Sequence, residues 1–261
     1  MTALSSAATA AVNAVQEIGN KLRKHYGTAV SLRCKSSLAA DVVTTLDIEA
    51  ERFLAERLAG YDATIGFAGE ESEPVGSAKR FWLVDPIDGT GHFIRGTPFC
   101  TTMIALVEEG EVVFSTIYNF VTRELFVAEL QKGATLNGNP LHVSERPLSD
   151  AYLSVETDMR SERSISTYVR LRSRAVVLHT INCGYEYGLI AQGRLEGRIS
   201  FDPFGKDWDF APGSLLVTEA GGRVTNIGSP TYDFKNHNLI AANLAVHEEL
   251  SRPGSPLEAY R

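Results

Sequence analysis

A short apolar run, Phe81-Trp82-Leu83-Val84, leads directly into Asp85-Pro86-Ile87-Asp88-Gly89-Thr90. An unbroken apolar run cannot lie on a half-solvated surface. It needs cover on both faces, which is the requirement of a strand inside a layered sheet. Pro86 fixes φ and Gly89 permits a sharp turn, so the strand is expected to end at Asp85-Pro86. The Asp85 and Asp88 carboxylates, with the Ile87 carbonyl between them, can then face one point. All-oxygen clustering of this kind suits a hard divalent cation, Mg2+ or Mn2+. The N–H groups of Gly89, Thr90 and Gly91 can cradle an anion beside it. Asp-Pro and Asp-Gly are also ordinary turn dipeptides, and on this segment alone the two readings stand level. A calcium EF-hand is a poor reading, because its alternating Asp/Asn ligands and distal Glu are missing.

Hydrophobic periodicity places this run within a larger plan. Helices are expected over residues 7–26 and 46–58, then strands over 81–84, 101–107, 111–120 and 124–129. Residues 108–110, 121–123 and 133–138 read as the turns of an antiparallel meander. The second half alternates, with helices over 161–172, 184–192, 210–220 and 246–250 and strands over 175–178, 198–201, 223–225 and 239–242. Such a plan predicts an α/β fold built in layers. A polar stretch at 144–149 marks a soft boundary between subdomains of residues 1–145 and 146–261.

Charge and cysteine usage bound the function. The chain has 261 residues and a formal net charge of −7, which argues against a nucleic-acid substrate. At first sight it also argues against any anionic substrate. Cys34, Cys100 and Cys183 form no CxxC pair and no even set, so reduced thiols in a cytoplasmic protein are expected. The first basic residue is Lys21, so no charged signal-peptide start is seen. No apolar run approaches the ~18 residues of a membrane span.

Three further acidic segments accompany the turn. They are Gly69-Glu70-Glu71-Ser72, Asp41-x-x-Thr44-x-x-Asp47 and Trp208-Asp209. Each alone reads as surface acid or helix capping. Together with Asp85-Pro86-Ile87-Asp88-Gly89-Thr90, Gly133-Ala134-x-x-Asn137-Gly138 and Glu219-Ala220-Gly221-Gly222, they resemble the inositol monophosphatase family over about residues 30–245. The resemblance implies an αβαβα sandwich and a Mg2+-dependent phosphomonoesterase, usually a homodimer and often lithium-sensitive. It implies two or three Mg2+ ions, with Mn2+ as a substitute, held by Glu70, Asp85, Asp88, Asp209 and the Ile87 carbonyl. It also implies that Thr90, paired with Asp47 and assisted by Glu70, activates the attacking water, while Gly89 and Thr90 meet the phosphate. Direct attack by water agrees with the absence of an Asp-x-Asp-x-Thr/Val phosphoenzyme motif.

Some positions depart from the family pattern. Gly91-His92-Phe93 stands where x-Asn-Phe is usual, and His92 is expected to take over the loop-holding role. Asp202, seven residues before Asp209, matches an acid that contacts substrate hydroxyls in inositol-selective members. Cys183-Gly184-Tyr185-Glu186 is bulkier than the usual small-residue run there. The expected substrate contacts are therefore Asp88, Cys183, Glu186 and Asp202. Glu186 and Asp202 would suit a cationic amine, and Asp202-Pro203 resembles histidinol-phosphate phosphatases. The leading substrate is an inositol or sugar phosphate, with histidinol phosphate as the alternative. An alternative of another class is a non-catalytic regulatory dimer that binds a protein partner.

Overall fold

The computed structural model describes residues 4–28, 32–34, 42–181 and 183–261. Helix α1 (Ser6–Leu22) is followed by a hairpin of β1 (Leu32–Cys34) and β2 (Val42–Thr44), then by α2 (Thr45–Tyr61). Ser5 caps α1 by accepting from the Ala8 N–H, and Ala8, Ala11, Val15, Ile18 and Leu22 line its buried face. Next come β3 (Gly66–Gly69), β4 (Arg80–Asp88), the short α3 (Thr90–Arg95), β5 (Thr101–Glu108), β6 (Glu111–Asn119), β7 (Glu124–Glu129), β8 (Gly133–Leu136) and β9 (Asn139–Pro140). Strands β3 to β9 form one sheet in sequence order, parallel at β3–β4 and antiparallel elsewhere.

The second half holds β10 (Tyr152–Thr157), α4 (Glu162–Arg172), β11 (Val176–His179), α5 (Tyr185–Ala191), β12 (Gly197–Phe201), α6 (Asp207–Glu219), β13 (Arg223–Asn226), β14 (Leu239–Ala242) and α7 (Leu244–Leu250). Its five strands lie in the order β11-β10-β12-β14-β13.

Side-chain alternation shows how the layers stack. On β4 and β5, Trp82, Val84, Ile104 and Leu106 face α1 and α2. Their neighbours Leu83, Met103, Ala105 and Val107 face the opposite way, onto Tyr187 and Ile190 of α5 and Phe210 and Leu215 of α6. Leu239 and Ala241 of β14 join that same cluster. Ile240 and Ala242 point outward, with Leu153, Val155, Ile199 and Phe201, onto Leu171 of α4 and Val246 and Leu250 of α7. The result is the expected αβαβα sandwich, with α5 and α6 between two sheets. Among the described residues no helix is long and apolar enough to cross a membrane.

The structure refines or corrects the sequence reading in three places. β4 continues through Pro86 to Asp88, because a register shift between Asp85 and Asp88 absorbs the residue that lacks an N–H donor. The turn expected within 133–138 is present but confined to 137–138, after strand β8. Strands β3 and β10 were not foreseen.

Candidate active site

The bulged end of β4 brings the acids together. Asp85, Asp88 and Asp209 each present a carboxylate oxygen within 4.8 Å of the others. Asp85 is 2% exposed and Asp88 4% exposed. The β3–β4 register sets Gly69 opposite Val84, so Glu70, just past the end of β3, follows beside Asp85 of β4. Glu51 of α2 fixes that exit. Its carboxylate accepts the Glu71 N–H at 2.7 Å and occupies the space a Cβ on Gly69 would need.

Each of the three aspartates is held differently. Asp88 Oδ2 accepts from Thr101 Oγ1 at 2.6 Å, from the Gly184 N–H at 2.7 Å and from Cys183 Sγ at 3.1 Å. Its other oxygen is left for the cluster. Asp209 sits in the first turn of α6, where its Oδ2 accepts the Lys206 N–H at 2.6 Å. Asp85 Oδ1 is buried with no protein partner.

Burial pushes the Asp85 carboxyl well above its usual range, and the charges of Glu70, Asp88, Asp209 and Asp47 push it further. Burial also raises Asp88, against the three hydrogen bonds to its Oδ2. Asp209 is pushed up to about 8 by burial and by the Asp88 charge, with Glu70 adding to it. Mutually repelling buried carboxylates, one with an orphaned oxygen, are costly unless a cation compensates them. The all-oxygen donor set fits Mg2+ or Mn2+.

Beside the cluster, Thr90 Oγ1 donates to Asp47 Oδ1 at 2.8 Å and also lies 2.9 Å from the Ile87 carbonyl. Asp47 is held by the capping box of α2, with its Oδ2 accepting from the Thr44 N–H at 2.8 Å and Thr44 Oγ1 at 2.6 Å. Asp41, the first residue of that sequence motif, lies outside the described residues. Gly89 has φ 79° and packs so closely under the Phe99 carbonyl that no side chain fits.

His92 serves as the loop holder. One ring nitrogen, Nε2, lies 2.7 Å from the Ile181 carbonyl, and the other, Nδ1, lies 2.7 Å from Thr97 Oγ1. A carbonyl only accepts, so Nε2 carries a proton and donates it to Ile181.

Three expected substrate contacts, Glu186, Asp202 and Cys183, have partners within the protein. Glu186 is 3% exposed and is consumed by Ser154 Oγ, Thr180 Oγ1, the Ile181 N–H and the Arg198 guanidinium. Asp202 Oδ2 accepts from Tyr260 Oη at 2.5 Å and from Ser164 Oγ at 3.2 Å. Cys183 is buried beneath Asp88 and serves it as a donor. Sequence reasoning missed Glu51 and Thr101, and it named Thr44 only as part of a helix cap; all three orient site residues. Only the Thr44-x-x-Asp47 spacing carried a readable signal, that of a capping box.

The sequence profile described as "Inositol monophosphatase family" matches residues 3–253. The chain belongs to the inositol monophosphatase family. It is 33% identical to the inositol-1-monophosphatase of Rhizobium meliloti, covering 93% of this chain and 95% of that protein. It is 30% identical to the Nus factor SuhB of Salmonella typhimurium, covering 91% of both. Among solved structures, the extragenic suppressor protein suhB of Bartonella henselae superposes with a TM-score of 0.86 at 30% identity, over 95% of this chain and 98% of that one. The Thermotoga maritima IMPase gives 0.84 at 25% identity, over 95% and 96%. Relatives of this inositol monophosphatase family member thus carry both names at similar identity.

Proposed function

We propose that this chain hydrolyses a small phosphate monoester with Mg2+, and that its substrate is inositol 1-phosphate or a similar polyol phosphate. The observation that carries this reading is the convergence of Asp85, Asp88 and Asp209 oxygens within 4.8 Å, beside the Thr90–Asp47 hydrogen bond. Membership in the family, and the likeness to the Rhizobium inositol-1-monophosphatase, support the substrate class. Glu70, Asp85, Asp88, Asp209 and the Ile87 carbonyl hold the ions. When bound, Mg2+ supplies Lewis acidity toward the phosphate and makes water easier to deprotonate.

The remaining work falls to side chains. Thr90 has one hydroxyl proton, and the charged Asp47 oxygen at 2.8 Å is a stronger acceptor than the Ile87 carbonyl at 2.9 Å. With that proton on the Asp47 side, a Thr90 lone pair faces the attacking water. Thr90 then accepts the water's proton as its own passes to Asp47, which aims the water oxygen at phosphorus. Gly89 and Thr90 offer their N–H groups to the phosphate oxygens. Burial keeps the Cys100 and Cys183 thiols protonated, so neither is an activated nucleophile.

The histidinol-phosphate reading keeps only one of its two proposed amine contacts, because Glu186 is buried and paired with Arg198, whereas Asp202 is exposed. A second, regulatory role alongside catalysis is favoured by the equally close likeness to Nus factor SuhB. We also place the chain in a reducing cytoplasm, supported by its free Cys100 and Cys183 thiols. A homodimer is supported by apolar side chains left exposed at Ile165 and Val169 of α4 and at Val176 and Leu178 of the edge strand β11. The test is phosphate release from inositol 1-phosphate with and without Mg2+. Release that requires Mg2+ supports the reading, and no release from any small monoester overturns it.

A further inference from the structure

A second charged cluster lies behind the metal ligands, buried between α5 and β12. Arg198 of β12 is 2% exposed, Glu156 of β10 is 3% exposed and Glu186 of α5 is 3% exposed. Arg198 Nη2 donates to Glu156 Oε2 at 2.6 Å, and Nη1 lies 3.1 Å from Glu186 Oε2. The guanidinium lies 4.9 Å from the Tyr187 ring centre and 5.6 Å from that of Phe210. A charged group this deep costs free energy even when paired, and apolar residues would fill the same space at no loss of stability. Its contacts point to a different use.

Each arm of Arg198 leads to a metal ligand. On one side Nη1 donates to the Cys183 carbonyl at 3.3 Å. The same peptide unit carries the Gly184 N–H, which donates to Asp88 Oδ2 at 2.7 Å. In a trans peptide the C=O and N–H point in opposite directions. The Cys183–Gly184 plane is therefore clamped between Arg198 and Asp88, and Arg198 polarises the N–H that holds Asp88. On the other side, Glu156 Oε1 accepts the Phe204 N–H at 3.0 Å and the Gly205 N–H at 2.9 Å. That loop runs directly into Lys206, whose N–H holds Asp209. Glu186 adds a third link. It accepts the Ile181 N–H at 3.0 Å, and the Ile181 carbonyl pairs with His92 of the metal loop at 2.7 Å.

We infer that Arg198, bridging Glu156 and Glu186, is a positioning residue that sets the separation of Asp88 and Asp209 and thereby the divalent-cation affinity of the site. The inference rests on the reading of Asp85, Asp88 and Asp209 as cation ligands. Lysine cannot replace Arg198, because one ammonium cannot span Glu156, Glu186 and the Cys183 carbonyl with a planar fork. The network acts on its ligands from outside the cluster, as supporting shells of metal sites do.

The experiment is a Mn2+ titration followed by electron paramagnetic resonance, without substrate, on the full chain and three variants. Arg198→Lys breaks the fork. Glu156→Gln keeps an oxygen for the Phe204 and Gly205 N–H groups but removes the ion pair. Glu196→Gln is the matched control. Glu196 is equally buried, accepts from Arg146 Nε at 2.7 Å and from the Tyr152 N–H at 2.7 Å, and leads to no metal ligand. The expected result is a Mn2+ Kd about tenfold weaker or more in Arg198→Lys and Glu156→Gln, with Glu196→Gln within about twofold of the parent. Folded Arg198→Lys and Glu156→Gln proteins with an unchanged Kd overturn the inference. Should Arg198→Lys fail to fold, an unchanged Kd in Glu156→Gln overturns it alone. An equal loss in Glu196→Gln also overturns it, by showing general destabilisation. A parent protein that binds no Mn2+ sinks the cation-site reading and the inference with it.

Discussion

At the residue scale, Thr90 separates water activation from binding. Its hydroxyl contacts Asp47 and the Ile87 carbonyl. Thr90→Ala removes the relay but none of the carboxylates, so kcat should fall by about 10²–10⁴-fold with KM changed far less. Thr90→Ser keeps the hydroxyl and should stay within about tenfold of the parent. Steady-state kinetics on both variants checks this, and an unchanged kcat in Thr90→Ala contradicts it. The acids of this site were legible because their identity and local spacing carry the chemistry. Asp85 and Asp88 stand three residues apart at the bulged end of β4, and Thr44-x-x-Asp47 is a helix cap that also holds the proposed proton acceptor. The partners of Glu186 and Asp202 were not legible, for the opposite reason. A carboxylate's sequence neighbours do not reveal whether a distant partner claims it. Tyr260 reaches Asp202 across 58 positions, and Arg198 of strand β12 pairs with Glu186 of helix α5.

At the scale of elements, strand-like runs separated by turn residues gave most strands of the meander, and β10 shows why some stayed hidden. Leu153 and Val155 face one apolar cluster, but Ser154 and Glu156 on the opposite face are also buried, tied to Glu186 and Arg198. A buried polar face looks like a solvated one in sequence, so no strand was expected there. The β4 bulge was hidden by its proline, which ordinarily ends a strand. Close packing makes a prediction for α6. Gly213 lies inside that helix, where Gly→Ala usually gains about 1 kcal/mol of stability. Here a Cβ would collide with the Tyr187 ring. Overpacking of that kind costs about 1–3 kcal/mol, so Gly213→Ala should lower stability in thermal or urea unfolding. A raised Tm would mean that the α5–α6 contact is looser than described.

Across the whole molecule, the net charge of −7 first counted against an anionic substrate. The structure concentrates much of that acidity in one cleft, so cation binding decides how the cleft meets phosphate. Metal-free, the cluster is a liability that grows with pH. Asp209 is pushed up from 3.8 to about 8 by burial and its acidic neighbours. The folded state therefore keeps a proton that the unfolded chain loses at lower pH. This contribution is fully present below the unfolded pKa and is lost as pH rises from about 4 to about 8. In chelator, Tm should fall over that range, and Asp209→Asn should flatten the fall. Mg2+ should raise Tm more at pH 8 than at pH 5, because binding must displace the retained protons. A Tm gain from Mg2+ that is equal at both pH values contradicts this.

The central claim is that the Asp85–Asp88–Asp209 cluster makes this inositol monophosphatase family member a Mg2+-dependent phosphatase. Its most direct test is phosphate release from inositol 1-phosphate by the parent protein and by Asp88→Asn, each with saturating Mg2+ and with chelator. The account predicts release only from the parent, and only with Mg2+. Turnover that persists in chelator, or in Asp88→Asn, would contradict it.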